Sequence, residues 1–429
     1  MTTPDTHYQA RDGGGPRGAN LPRVADYNER LVLDAVRRAP SGLSRVELTQ
    51  HLGLVAQTIS NVVTRLTERG QIREIGKLRK GPGKPRTLLA LRPEAHYAIG
   101  VHIDPAVVTC VLVDFTGTIV RRTTRATPNV NSPADVLVEI SDMVGGVVRD
   151  AGIPRDRLLG IGLASPGPID VTDGLVLDPP LLPDWKQIPL RDHLATITML
   201  PVLLEKDVFA CAVAEWWLPS STPSENYAFF YFGTGLGVGL VLNGVPFRGT
   251  SSNAGDIGTM PTGVLPTGRQ GSQGDSALGQ VTSVGYVLRD PRAHEAIGYT
   301  PPLDNPVELE AAFVRLCERA DLSPAADQLL DEAARGFASS VLSTVNLLDL
   351  NRVVFGGPLW SAVADRFTRQ VRARLDEVAA IRGVHGVELV TSAHDTDVGA
   401  VGAASLVLDY MFSPRPAVVV VEPTPTWRT

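Results

Sequence analysis

Residues 44–86 read SRVELTQHLGLVAQTISNVVTRLTERGQIREIGKLRKGPGKPR, and this stretch decides the fold. Ser44 followed three residues later by Glu47 has the form of a capping box, which opens a short helix carrying Leu48 and ending at Gly53. A second helix follows after a turn of a few residues, over about Ala56 to Arg69. Its apolar positions Ile59, Val62, Val63 and Leu66 recur at helical spacing and form one stripe for burial. The opposite face holds Gln57, Thr58, Ser60, Asn61, Thr64 and Arg65, groups that hydrogen-bond base edges or phosphates. After Gly70, the segments Ile72–Leu78 and Thr87–Leu91 read as two strands. Between them lies a basic tip with Arg79, Lys80, Lys84 and Arg86, suited to the minor groove or the sugar-phosphate backbone.

A short helical hairpin packed on a larger domain would share part of this pattern. The tight helix pair, the polar outer face and the basic hairpin directly behind it together favour a winged helix-turn-helix. A further helix, about Asn28 to Arg38, precedes the pair with Leu31, Val32, Ala35 and Val36 facing inward. The expected DNA contacts are Ser44, Arg45, Gln57, Thr58, Ser60, Asn61, Thr64, Arg65, Arg79, Lys80, Lys84 and Arg86. Charge agrees with this reading. Residues 21–92 contain 14 Lys and Arg against 6 Asp and Glu, a balance of +8, on a chain whose net charge is −6. A basic module on an acidic body is the electrostatic footprint of a nucleic-acid reader.

The chain of 429 residues has room for this module and one large or two medium domains. Cys110, Cys211 and Cys317 lie far apart in apolar surroundings, which gives neither a disulfide framework nor a metal cluster. No apolar run approaches about 18 residues and the N-terminus has no apolar signal core, so the expectation is a cytoplasmic protein with no membrane partner. Residues 1–20, rich in Gly, Pro, Arg and Asp, read as a disordered arm. The expected module spans 21–93.

From Tyr97 the pattern changes to alternating strands at about Ala98–Ile103, Val107–Asp114 and Thr118–Arg125. Ser132-Pro133 then caps a helix to about Asp150. Leu158–Ala164 and Val202–Glu205 read as strands, and about Val208–Leu218 as a helix that ends near Trp216 and Trp217, which are expected to pack within the lobe. A second set begins near Asn226: strands Tyr227–Phe232 and Val238–Leu242 flank a glycine-rich turn, followed by helices at about Val307–Arg319 and Ser323–Leu348. A strand at Arg352–Phe355 and a last helix at about Thr396–Leu408 follow. The Pro-rich stretch 413–429 reads as a disordered tail whose Val418–Val421 could add an edge strand. Two α/β lobes follow from this order.

The order of elements resembles the ROK family of repressors and sugar kinases. Four stretches carry the likeness: Gly160-Ile161-Gly162-Leu163-Ala164-Ser165-Pro166-Gly167-Pro168, Glu205-Lys206-Asp207-Val208-Phe209-Ala210, the glycine loop 233–239, and Asn253-Ala254-Gly255-Asp256-Ile257-Gly258. Each is weak alone; in this order, behind a winged helix and over roughly residues 25–410, they are specific. The resemblance implies an α/β fold with an N-terminal winged helix-turn-helix followed by a two-lobed actin-like ATPase (ribonuclease H-like) domain over 97–412. Lobe one would take 97–225 plus the last helix, 396–410, and lobe two 226–395. A ligand cleft would lie between them.

Departures from the family pattern choose between its two classes. Family kinases open the body with an acidic residue and a Gly-Gly-Thr turn that contacts nucleotide phosphates. Here the equivalent stretch is Gly100-Val101-His102-Ile103-Asp104-Pro105-Ala106. Asp104 repels phosphate, and Pro105 has no N–H to donate and cannot adopt positive φ. The glycine loop is intact and could approach a phosphate closely, but without the first loop a tight turn joining two strands is the better account of it. The zinc site that the resemblance implies is absent from the pattern, because Thr259 takes the histidine position and residues 263–279 hold neither Cys nor His.

In the cleft the resemblance puts Asp207 at the catalytic base position, here vestigial. Lys206 stands where sugar binders usually have Asn, and Asp256 where a longer Glu is usual; the further Glu falls near Gly279. A cap on the following helix is the plain alternative for Asp207, and a salt bridge to Glu205 or Asp256 that for Lys206. The expected effector contacts are Ser165, Trp185, Lys206, Asp207, Asn253, Asp256 and Thr259, with a core role the alternative for Trp185. The expectation is therefore a DNA-binding transcriptional regulator without cofactor or metal, a repressor of carbohydrate-related genes. Its partners would be a double-stranded operator, a second copy of the chain and a sugar-derived effector, with Lys206 hinting at an acidic or phosphorylated one. The rival is a sugar kinase using ATP with a DNA-binding domain attached. A regulator that has lost its effector and works through protein partners is a third possibility.

Overall fold

The fold comes from a computed structural model that describes residues 21–79, 85–128, 132–182, 185–217, 224–263 and 277–417. The expected arm at 1–20, the wing-tip residues Lys80 and Lys84, and the Val418–Val421 strand lie outside the described residues.

The N-terminal module is built from α1 (Leu21–Arg37), β1 (Leu43–Ser44), α2 (Arg45–Leu52), α3 (Ala56–Glu68), β2 (Ile72–Leu78) and β3 (Arg86–Leu91). The capping box at Ser44 forms with both of its hydrogen bonds, and Gly53 closes α2 in the left-handed conformation. Ile59, Val62, Val63 and Leu66 of α3 are all buried against Val32, Leu33 and Val36 of α1 and Leu48 of α2. The three strands pair antiparallel in the order β1-β3-β2. α1 begins at Leu21, earlier than Asn28 as expected from apolar spacing, since Pro22 is tolerated in a first helical turn.

The first lobe contains β4 (Tyr97–Ile103), β5 (Val107–Asp114), β6 (Ile119–Ala126), α4 (Pro133–Ala151), β7 (Leu158–Ser165), the short hairpin β8 (Ile169–Asp170) and β9 (Leu175–Val176), α5 (Leu190–Thr198), β10 (Val202–Lys206) and α6 (Asp207–Trp217). The second contains β11 (Tyr227–Phe232), β12 (Leu236–Leu242), β13 (Val245–Phe247), α7 (Leu278–Thr282), α8 (Val284–Val287), α9 (Pro291–Ile297), α10 (Pro306–Glu318), α11 (Pro324–Leu348), β14 (Arg352–Gly356), α12 (Trp360–Val378) and β15 (Glu388–Thr391). The last helix is α13 (Val398–Phe412).

Both five-stranded sheets have one topology. The orders are β10-β7-β4-β5-β6 and β13-β12-β11-β14-β15. In each, an antiparallel meander of three strands continues through its first strand into two parallel strands. The β4–β5 turn of lobe one and the β11–β12 turn of lobe two are therefore equivalent positions.

The last helix packs on β4, β7 and α6. It lies so close that a Cβ at Gly162 would meet the Ala403 carbonyl oxygen at 1.8 Å, which only glycine avoids. Sequence reading had given the segment from Ser413 to a loose tail. The structure corrects its first residues: the Ala417 amide donates to Asp409 Oδ2 at 2.6 Å and the Ala417 carbonyl accepts from Arg248 at 2.7 Å.

Trp216 and Trp217 have a wider role than packing within the lobe. The Arg37 guanidinium lies 3.9 Å from the centroid of the Trp217 ring, and that of Arg38 lies 5.6 Å from Trp216. Arg37, only 6% exposed, also donates to the Trp217 carbonyl, and Leu33, Leu91, Phe115 and Phe412 surround this joint. The winged helix is thus docked on the end of α6.

Candidate functional site

The outer face of α3 presents Gln57, Asn61 and Thr64 to solvent, with Thr58 and Ser60 half-buried. Gln57 Nε2 donates to Asn61 Oδ1 at 3.0 Å, which links the two amides side by side on the exposed face. Arg79 is exposed beyond the end of β2, and Arg86 is half-buried at the start of β3. Two expected contacts are corrected. Ser44 is 2% exposed and its hydroxyl is used within the capping box, accepting from the Glu47 amide and donating to Oε2 of the same residue. Arg65 donates to Glu29 Oε1 at 2.7 Å while Arg69 takes Oε2 at 2.6 Å, so Arg65 ties α3 to α1. Arg45 is half-exposed and only loosely near Glu74, at 3.9 Å.

A cleft of about 440 Å³ opens between the lobes, a size suited to a small organic ligand. Lys206, Asp207 and Asp256 line it, together with the backbone of Gly167, Gly235, Gly237 and Gly255. Asp207 is the first residue of α6, and its Oδ1 accepts from the Val208 amide at 2.7 Å. Burial pushes its carboxyl up to about 6, against the pull of the neighbouring Lys206 ammonium. Lys206 bonds neither Glu205 nor Asp256. Its ammonium donates to the carbonyls of Asn253 and Ala254 at 3.1 and 3.3 Å. Glu205 instead pairs with Arg248 at 2.5 Å in the core. With two carbonyls and Asp207 around it, the Lys206 charge is largely answered from within the protein, and the hint of an acidic ligand loses force.

Four expected effector contacts fall elsewhere. Trp185 is fully buried in the core of lobe one, and its ring has no face toward the cleft. Ser165 is also fully buried, at the end of β7. Thr259 is exposed but does not line the cleft. Asn253 borders the site as a brace between segments: its side-chain amide accepts from the Ile169 amide at 2.7 Å and donates to the Ile169 carbonyl at 2.8 Å. Each was read from position in a motif, and motif position does not say which way a side chain points.

The other half of the cleft brings residues that sequence reading passed over: Tyr231, Thr234, Tyr286, Arg289 and Leu309. At its centre sits Asp104, 3% exposed. Its Oδ1 accepts from the Ala106 amide at 2.9 Å and faces Thr234 Oγ1 at 3.2 Å, while Oδ2 accepts from the Tyr231 hydroxyl at 3.0 Å. Thr234 Oγ1 is also 2.7 Å from Glu310 Oε1. Thus a carboxylate in the β4–β5 turn is bonded across the lobe boundary to the glycine loop opposite. The glycine loop has a packing role of its own. A Cβ at Gly239 would meet the Val208 carbonyl oxygen at 2.0 Å, so glycine is required there for β12 to lie on α6. Among the described residues, no group of three or more His, Cys, Asp and Glu is arranged to hold a metal ion.

The ROK family pattern matches residues 98–410, well over half of the chain. The chain belongs to the ROK family. Among its ROK relatives is the xylose repressor of Bacillus subtilis (strain 168), 27% identical over 55% of this chain and 61% of that protein, so the chain spans less than two thirds of that relative's length. The glucokinase of Thermotoga maritima is 27% identical over 72% of this chain and 96% of that enzyme. A solved ROK family transcriptional regulator, a homolog of the E. coli MLC protein, superimposes with a TM-score of 0.69 at 20% identity, covering 91% of this chain and 98% of that one. A ROK glucokinase from Streptomyces griseus with glucose and AMPPNP gives 0.59 at 24% identity over 72% of this chain and 98% of that one. Both likenesses show the fold of the two-lobed body, and the first also extends over the N-terminal module. Repressors and sugar kinases both occur among the relatives, and no helix among the described residues is long and apolar enough to cross a membrane.

Proposed function

We propose that this ROK protein is a DNA-binding transcriptional regulator, a repressor of carbohydrate-related genes, whose hold on DNA is set by a sugar or sugar derivative in the interlobe cleft. The observation that carries this reading is the exposed polar face of α3, with Gln57 and Asn61 hydrogen-bonded side by side, on a module seated at the far end of the helix that Asp207 begins. Two copies of the chain would insert α3 into successive major grooves of a roughly palindromic operator. An effector touching Asp207 and Asp256 would change the lobe angle, and with it the separation of the two winged helices. Selection of bound duplexes from a random pool, repeated with sugars and sugar phosphates present, tests the proposal. A recovered palindrome whose binding weakens with one sugar is the expected result, and indifference to duplex DNA at low salt would overturn it.

A sugar kinase is the second reading. Asp207 at the cleft and the glucokinase relatives favour it; Asp104 in the phosphate turn opposes it. ATP turnover with a panel of hexoses separates the two, because sugar-dependent phosphorylation requires the kinase. A regulator acting through protein partners alone would show no thermal shift with any sugar, since a true effector must stabilise the folded state.

A further inference from the structure

We propose that Asp104, Thr234 and Glu310 form a proton-dependent lock between the two lobes, complete only while Glu310 carries a proton. Asp104 sits in the β4–β5 turn of lobe one, Thr234 in the equivalent β11–β12 turn of lobe two, and Glu310 on α10 behind it. Thr234 Oγ1 lies within hydrogen-bond distance of both carboxyl groups, at 3.2 Å from Asp104 Oδ1 and 2.7 Å from Glu310 Oε1. A hydroxyl has one proton, so it donates to one carboxyl and must accept from the other. Asp104 is the acceptor: its two oxygens already take the Ala106 amide and the Tyr231 hydroxyl. The proton therefore resides on Glu310, whose O–H donates to Thr234, which in turn donates to Asp104.

Burial raises the Asp104 carboxyl as well, but three donors, the Ala106 amide and the Tyr231 and Thr234 hydroxyls, oppose that shift and hold it as the acceptor. Burial, and next the Asp104 charge, push the Glu310 carboxyl up to about 7. His102 on β4, edge-on to the Tyr231 ring at 5.8 Å, is pushed down to about 4 by burial and stays neutral at physiological pH. From α6, Asp207 titrates at about 6 and the buried Cys211 thiol is held well above its ordinary range. Lys206 and Arg289 are the cations lining the cleft, and Lys206 lies against the carbonyls of Asn253 and Ala254. Above the Glu310 titration, two anions face one hydroxyl across the lobe boundary, and the closed arrangement loses its chain of hydrogen bonds. Sign follows directly: the raised carboxyl favours closure below its ordinary range, and that contribution disappears as pH rises through about 7. Lobe separation would release one proton. If the lobe angle governs DNA binding as proposed above, the grip on DNA inherits this pH dependence; the lock itself does not rest on that reading.

Hydrogen exchange of the full chain tests the lock without an effector. The Ala106 and Val107 amides, in lobe one, report on Glu310 in lobe two. In the wild type their protection, corrected for the intrinsic rate, should fall by up to tenfold per pH unit between the ordinary carboxyl value and about 7, the slope of a single proton, and level off above it. In Glu310→Gln the amide donates to Thr234 at any pH, so the one-proton slope that Glu310 contributes should vanish. Asp207 is the same in both proteins and cancels in the difference. Wild-type minus Glu310→Gln infrared spectra at neutral pH should also show the C=O stretch of a protonated carboxylic acid. Identical pH profiles for the two proteins, or a difference spectrum with only ionised carboxylate, would overturn the proposal. Should Glu310→Gln fail to fold, Glu310→Met, close in volume and with no group to titrate, serves with the same reporters.

Discussion

Asp207 and Trp217 are the first and last residues of one helix: Asp207 lines the interlobe cleft, and Trp217 bears the Arg37 guanidinium of the winged-helix module. Eleven residues at the helical rise put these ends about 15 Å apart. A rigid element thus joins the interlobe cleft to the N-terminal module without an intervening loop. Trp217 is 2% exposed, so its replacement removes a large buried ring as well as the surface that receives Arg37. Trp217→Ala should lower stability by about 3–5 kcal/mol, measured by chemical denaturation. Arg37→Gln, which keeps some packing, should leave operator affinity near wild type while weakening any sugar response. An undiminished response in Arg37→Gln would rule out this joint as the route.

Duplex binding should separate base reading from charge. Asn61→Ala should cost about 1–3 kcal/mol on the preferred sequence and little on random DNA, measured by competition binding. Lys84→Ala should weaken all duplexes alike and reduce the slope of log affinity against log salt by about one. An unchanged slope would remove Lys84 from the wing's DNA contacts. Arg65→Ala tests the opposite assignment: with its guanidinium on Glu29, the change should act on stability more than on the salt slope.

Thermal stability should carry the signature of Asp207. Its carboxyl lies at about 6 in the folded chain against an ordinary 3.8, so its contribution is present below the ordinary value and lost as pH rises through about 6. Asp207→Asn should therefore lose less stability than the wild type between pH values below and above that point. Parallel melting curves for the two proteins across this range would contradict the buried environment.

The buried Glu205–Arg248 pair gives a stability prediction remote from both sites. Arg248 holds Glu205 at 2.5 Å, lies over the Phe209 ring at 4.3 Å and anchors the Ala417 carbonyl. Arg248→Ala leaves a buried carboxylate without its cation and should cost about 3–5 kcal/mol by denaturant unfolding. Burial already pushes Glu205 up to about 7 with the arginine in place. The variant should accordingly be less destabilised at acidic pH, where Glu205 is neutral.

Local chemistry was readable wherever one residue acted on its near neighbours. Ser44 with Glu47, Ser132 with Pro133 and the α3 stripe each specify a helix within a few positions, because caps and amphipathic spacing work over one or two turns. Short helices escaped. In α5 only Leu190 and Leu194 are buried and no side chain caps the N-terminus, so its pattern is hardly distinguishable from a loop. The candidate cleft was legible in part. Lys206, Asp207 and Asp256 follow from their motifs, whereas Trp185 and Ser165 share motif context yet turn into the core.

From the amino-acid order alone came the helix pair with its antiparallel hairpin and the two α/β sets, since each depends on propensity, periodicity or capping within a few residues. Tertiary structure decided which distant groups meet: Asp104 with Thr234, Arg37 with Trp217, Lys206 with the carbonyls of Asn253 and Ala254. Those meetings arise because two sheets of one topology face each other and a last helix closes on the first, a geometry that no local spacing encodes.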